Sequence, residues 1–143
     1  MKPLKLISIV LLLAALLEFS ACSKKNEEVT LTKSELLETH SWKLTKMKVS
    51  GVESAPDACS LDDTYVFLAS GVYTQDEGPT KCEPSDPQTT AGTWEFTNNE
   101  TKIKVSYGGG AFIIFEKEIV ELTSTTMQLK YNFFVDIEET YTH

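Results

Sequence analysis

Six residues near the C-terminus, Met127, Leu129, Tyr131, Phe133, Val135 and Ile137, are apolar and share one parity. The opposite parity carries Gln128, Lys130, Asn132, Asp136 and Glu138, with Phe134 the exception. Alternation with period two marks a β-strand with one dry face. The run predicts one long strand, or two strands joined with little turn between them. Its inner face reads as wholly apolar. A dry face of that length needs a cover, and the chain has no helix that could cover such a sheet. Closing the sheet into a barrel buries the face and removes the edges.

Shorter versions of the pattern precede it. Trp42 and Leu44 share a face, while Met47 and Val49 fall on the other parity, which predicts a bulge near Lys46. Tyr65 and Phe67 alternate, and residues 72–74 form a short strand after a turn at Ser70-Gly71. Trp94 and Phe96 alternate after Gly92, Asn98-Asn99 makes a hairpin turn, and Ile103 and Val105 follow. Gly108-Gly109-Gly110 is a hairpin loop. No Lys or Ser/Thr stands where a phosphate cradle would need it. Residues 112–115 are a continuous apolar run, and Ile119, Val120 and Leu122 close that segment. One helix signal stands before the strands. Thr32 and Glu35 have capping-box spacing, Leu31 can staple the start, and Leu36 and Leu37 supply the apolar face of a helix ending near His40. The expectation is an all-β fold over residues 32–143, an antiparallel up-and-down barrel of about eight strands with one short N-terminal helix.

The first segment is an address. Lys2 and Lys5 precede an apolar stretch, 6–17, too short to cross a bilayer. Phe19-Ser20-Ala21-Cys22 resembles a bacterial lipobox. The resemblance implies a lipoprotein signal peptide over 1–21 and a lipidated Cys22 that anchors the chain in a membrane, more than one acyl chain giving stable attachment. Ser23 after the cysteine resembles the sorting pattern for the outer membrane. Residues 22–31 then form the lipidated cysteine and a polar tether.

The thirteen basic residues are all Lys and the formal net charge is −8, which excludes the basic face a nucleic-acid binder needs. With only His40 and His143, no nucleophile, base and orienting acid can be assigned; no catalytic residue, metal ligand or cofactor is expected. Setting Cys22 aside leaves Cys59 and Cys82 in an oxidising compartment, where a disulfide between them is the expectation and a pair of buried free thiols the alternative. The acidic, Pro-rich stretch 59–88 reads as loops tied by that bridge. Asp62-Asp63 lacks the pattern of a calcium loop and reads as a turn entering a strand.

Taken together, Trp42-Lys43-Leu44-Thr45, Cys59-Ser60-Leu61-Asp62-Asp63-Thr64-Tyr65-Val66-Phe67, Gly71-Val72-Tyr73, Cys82, Gly92-Thr93-Trp94 and Val120-Glu121-Leu122-Thr123 resemble the small bacterial lipocalin-like lipoproteins. The resemblance covers roughly residues 34–142. It implies a lipocalin-like barrel outside the cytoplasm, with Trp42 packed across the closed end. It implies no particular ligand.

Two functions remain. One is a binding module that holds a small apolar ligand in the barrel, on Tyr65, Phe67, Trp94, Phe96, Leu129, Tyr131 and Phe133, with the Tyr hydroxyls as placed polar groups. The other is a structural or protein-interaction module whose barrel is filled by those same side chains. The free volume inside decides between them.

Overall fold

Thr32 opens the one helix among the described residues, α1 (Lys33–Glu38). Its side chain accepts from the Glu35 backbone N–H at 3.2 Å, and the Glu35 carboxylate accepts from the Thr32 N–H at 2.8 Å, so the predicted capping box forms in full. The computed structural model describes residues 30–107 and 113–143. The signal segment 1–21, Cys22, most of the tether, Gly108-Gly109-Gly110 and Phe112 lie outside the described residues.

The strands are β1 (Ser41–Val49), β2 (Val52–Ser54), β3 (Thr64–Phe67), β4 (Val72–Asp76), β5 (Thr89–Thr97), β6 (Lys102–Tyr107), β7 (Ile113–Leu122), β8 (Thr126–Phe133) and β9 (Val135–Thr142). From β3 to β9 each pairs antiparallel with the next, β9 returns to β1, and β1 meets β3. Eight strands therefore close the barrel. β2, which the alternation did not mark, is a short arm folded back on β1 through Ser50-Gly51. Both turn residues have positive φ, 52° and 79°, as a two-residue hairpin requires. The register of β1 against β9 shifts between Leu44 and Lys46, which brings Met47 and Val49 into line with Leu44 across the predicted bulge.

The C-terminal run is two strands. Phe134, with φ 64°, makes the turn between them. Parity survives the turn, because Tyr131 pairs with Ile137, Leu129 with Glu139 and Met127 with Tyr141. The inner face is therefore not wholly apolar: the next residue in phase after Ile137 is Glu139. Phe133 and Val135 leave the core because the strands have reached the rim, where they are 53% and 41% exposed.

Leu37, Trp42, Leu44, Phe67, Tyr73, Trp94, Ile103, Val105, Met127, Leu129 and Tyr141 form the core. Gly92 explains its own place before Trp94. A Cβ there would lie 1.8 Å from the Ser106 carbonyl oxygen, so any side chain would push β5 off β6.

The two ends of the barrel differ. At one end lie α1 and the turns after β3, β5 and β7. Leu37 is buried there, the Trp42 indole N–H donates to the Leu37 carbonyl at 3.0 Å, and Lys33 reaches the Glu100 carbonyl at 2.5 Å. This end is closed. At the other end lie the loops after β2 and β4 and the Phe134 turn. Cys59 and Cys82 join the first two in a disulfide, with Cα atoms 5.1 Å apart and a sequence separation of 23. Loop closure of that length is worth about 3 kcal/mol on the chain-entropy account.

Candidate binding site

The seven residues expected around a ligand occupy different heights of the barrel. Phe67, Trp94 and Leu129 are buried core, and Tyr65 and Phe96 pack against it. Phe67 meets Trp94 edge-on at 5.8 Å, and Trp94 meets Phe96 at 5.3 Å. The Trp94 indole N–H is satisfied by the Leu68 carbonyl at 2.9 Å. Tyr131 and Phe133 stand higher and come together through Phe115, at ring distances of 5.6 and 6.0 Å. Rings connect one end to the other, from Phe67 through Tyr73, Tyr107 and Phe115 to Phe133 and Phe134.

That packing leaves little room. The interior space bounded by Tyr65, Phe67, Tyr107, Lys117, Leu129 and neighbouring side chains is about 10 Å³. One water needs about that much. Trp94, Phe96, Tyr131 and Phe133 do not line it. Of the two interiors the sequence allowed, a void or a barrel filled by its own side chains, the described residues show the filled one, with a water-sized gap.

The middle of the barrel holds a polar group that the alternation did not reveal. Lys117 and Glu139 are both buried, with Nζ 2.6 Å from Oε2. Glu139 also accepts from the hydroxyls of Tyr141 (2.7 Å) and Tyr131 (2.9 Å), so both carboxylate oxygens are used. The Lys117 ammonium lies 4.4 Å from the Tyr131 ring centre, a cation–π contact. Burial pushes the Glu139 carboxyl up. The Lys117 charge and hydrogen bond, with the two Tyr hydroxyls, outweigh it and hold the group below its ordinary value. The Tyr131 and Tyr141 hydroxyls are pushed up, by burial first and the Glu139 charge second. The Tyr73 and Tyr107 hydroxyls sit 3.1 Å apart beside this group. The signal was in phase: Lys117 falls between Phe115 and Ile119 on the inward parity of β7, and Glu139 between Ile137 and Tyr141 on β9.

Three acids at the open end, Asp62, Asp63 and Asp76, accept hydrogen bonds. Asp62 accepts from the Thr80 N–H across the two loops, and Asp76 from Gly78, Gln88 and Thr89. Asp62 and Asp63 lie in the stretch that enters β3, as expected of a turn entering a strand, and Asp63 is also buried. Its Oδ2 accepts from Gln75 at 3.0 Å and Tyr65 at 3.3 Å, and its Oδ1 has no hydrogen-bond partner among the described residues. Burial therefore raises its pKa despite both hydrogen bonds.

The rim is apolar where these loops do not cover it. Phe134 is 92% exposed and Ile113 57%. Phe133, Phe134 and Ile113 stand above Phe115 and Tyr131, which in turn stand above the ion pair.

A family model for the lipocalin-like domain matches residues 39–129. The chain belongs to the lipocalin-like domain family. Among solved structures, the lipocalin-like domain is similar to a crystal structure of a lipocalin-like protein from Bacteroides uniformis ATCC 8492. The TM-score is 0.55 at 11% identity, over 75% of this chain and 97% of the other. At that identity the likeness speaks to the fold. No curated protein sequence matches the chain. The closed eight-stranded barrel, the short helix and the Trp42 cap thus belong to a lipocalin-like domain.

Proposed function

We propose that this lipocalin-like domain is a membrane-anchored module outside the cytoplasm, lipidated on Cys22 and held at the outer membrane, that takes a small apolar ligand at the open end of its barrel. The observation that carries the binding reading is the rim. Phe133, Phe134 and Ile113 leave apolar surface in water, continuous with Phe115 and Tyr131 below. Burying it under a ligand is favourable at about 25 cal/mol per Å². The polar floor of Lys117, Glu139 and the Tyr hydroxyls limits how deep the ligand goes. A bulky Phe at positive φ is also a costly choice for a turn, where Asn or Gly would serve, and such choices cluster at binding sites.

The competing reading is an interaction module without a ligand, and the water-sized interior favours it. One titration separates the two. The neutral fluorescent probe phenylnaphthylamine should bind the purified domain and brighten. Phe133→Ser with Phe134→Asn should weaken binding at least tenfold while leaving the circular dichroism unchanged. An unlabelled, dark wild-type domain would favour the interaction module, and equal binding by the variant would remove the rim as the site. The anchor has its own test. Wild type should fractionate with membranes, and Cys22→Ala should give a soluble or an unprocessed form; a processed Cys22→Ala protein still on membranes would end that part of the proposal.

A further inference from the structure

The loop after β2, residues 55–63, and the loop after β4, residues 77–88, meet where the chain enters β3. Three contacts join them. Cys59 is bonded to Cys82, and the Thr80 N–H donates to Asp62 Oδ2 at 3.0 Å. Gly78 lies so close that a Cβ there would stand 2.6 Å from the Asp62 carbonyl oxygen. Asp63, the next residue, is buried at this junction and only 2% exposed.

No cation answers the Asp63 carboxylate. It makes no ion pair among the described residues, and its Oδ1 and the Oδ1 of Asp62 are both buried without a hydrogen-bond partner there. The groups that face it are mostly acids: Asp62 beside it, Asp76 at the end of β4, and the buried Glu77 just beyond. Gln75 Nε2 bridges Asp63 and Glu77, at 3.0 and 3.3 Å. Tyr65 on β3 brings a neutral hydroxyl, and its ring meets Tyr141 on β9, which donates to Glu139. Lys81 acts on Glu77, but its Nζ is bonded to the Asp86 carbonyl. Burial first, then the charges of Asp62 and Asp76, hold the Asp63 carboxyl above its ordinary value against the Gln75 and Tyr65 hydrogen bonds. A lone carboxylate in a dry site is neutralised rather than left charged. Among the described residues no three Asp, Glu, His or Cys side chains come together as metal ligands, so a proton fits the group better than a metal ion.

We propose that Asp63 is a proton-operated clasp between the two loops. With a proton from solvent on its carboxyl, the group is neutral, stays dry and supplies a donor among acceptors. The loop after β4 then rests against the entry to β3. When the proton returns to solvent, the carboxylate gains water by lifting that loop, and the Cys59–Cys82 bond keeps the movement local. The loops are thus closed in acid and loosen as the pH rises. The clasp stands apart from the rim reading, since Ile113 and Phe133 belong to β7 and β8, and either can fail without the other.

The Asp63 carboxyl carbon, followed by NMR from about pH 3 to 8, reads the proton, and should titrate above the ordinary value of about 3.9. Hydrogen exchange reads the loop, at the Glu77 amide, which donates to the Gln88 carbonyl, and at the Thr80 amide, which donates to Asp62. A carboxyl with a raised folded pKa loses its stabilising effect as pH rises from the ordinary value to the folded one. Protection of both amides should therefore fall about tenfold per pH unit across that window and level off above it. Asp63→Asn has the shape of the neutral carboxyl and does not titrate. Its two amides should stay protected at neutral pH, and the difference from wild type isolates Asp63 from the other carboxyls. In urea the variant should be more stable than wild type at neutral pH and come close to it in acid. A midpoint at or below the ordinary value, protection that ignores the Asp63 titration, or a variant no better protected than wild type at neutral pH would each overturn the clasp. Calcium chloride that saturably protects the wild-type loop at neutral pH would overturn it too, by marking a cation site. If Asp63→Asn loses the wild-type circular dichroism, the wild-type titration and exchange decide by themselves.

Discussion

Replacing Lys117 with Met should destabilise the barrel by about 3–5 kcal/mol at neutral pH, the usual cost of removing one partner of a buried ion pair. Met fills much the same volume, so the loss is electrostatic rather than a cavity. Glu139 would keep its two Tyr donors but lose the cation at 2.6 Å. The signature is in the pH dependence. In the wild type, Glu139 is held below its ordinary value. A carboxyl whose folded pKa is depressed adds stability above its unfolded pKa, about 4.3, and that stability is lost as pH falls through the lower folded value. In Lys117→Met only burial and the Tyr hydroxyls remain, and burial raises the group. The sign then reverses, and the variant should gain stability relative to wild type as pH falls. Lys117→Met with Glu139→Gln removes both charges and keeps an acceptor for the Tyr hydroxyls. It should recover most of the loss and flatten the pH dependence. Urea unfolding of the two variants and wild type between about pH 2 and 8 checks this, a range that brackets the carboxyl values. A single variant as stable as wild type would mean the pair contributes nothing, and an unrecovered double variant would mean that Lys117 acts through packing.

The same pair shows where a strand pattern stops being informative. Met127, Leu129 and Tyr131 announce an inward face because apolar residues alternate with polar ones. Parity carries the face through Phe134, but a reader following hydrophobicity stops at Ile137, because Glu139 looks like solvent-facing charge. Its partner lies 22 residues earlier on β7, two strands away. Nothing local pairs them; closure of the barrel does. The bulge in β1 was legible for the opposite reason. It changes the phase of apolar residues within a few positions, and the strand must kink to keep Leu44 and Met47 on one side. The capping box is local too, three residues long, and forms as read. Free volume is the quantity that alternation does not encode. Tyr65, Phe67, Trp94 and Leu129 point inward in a filled barrel and in an empty one alike. Only their packing against Tyr73, Met127 and Tyr141 leaves a gap the size of one water.

Trp42→Ala should cost about 3–5 kcal/mol and loosen the closed end first. The Trp42 side chain is fully buried, and its ring lies where α1 crosses the barrel. Removing it leaves a large cavity beneath a helix of six residues, too short to hold itself together without packing. It also leaves the Leu37 carbonyl without the indole N–H that satisfies it at 3.0 Å, a separate cost of about 1–3 kcal/mol where the group stays dry. His40 and His143 lie edge-on to the indole at 6.1 and 5.8 Å and stack on each other at 3.8 Å, so the C-terminal residue also rests on this ring. Trp42→Phe keeps most of the apolar volume and loses the donor, so it should fall between wild type and Trp42→Ala. Hydrogen exchange gives the spatial reading: amides of α1 and of the first residues of β1 should lose protection well before those of β5 and β6. Trp94, at the same end but held by the Leu68 carbonyl and the Phe67 and Phe96 rings, should keep its emission in Trp42→Ala until global unfolding. Uniform loss of protection across all strands would mean that the helix and barrel unfold as one unit, and that Trp42 sustains the whole fold rather than its lid.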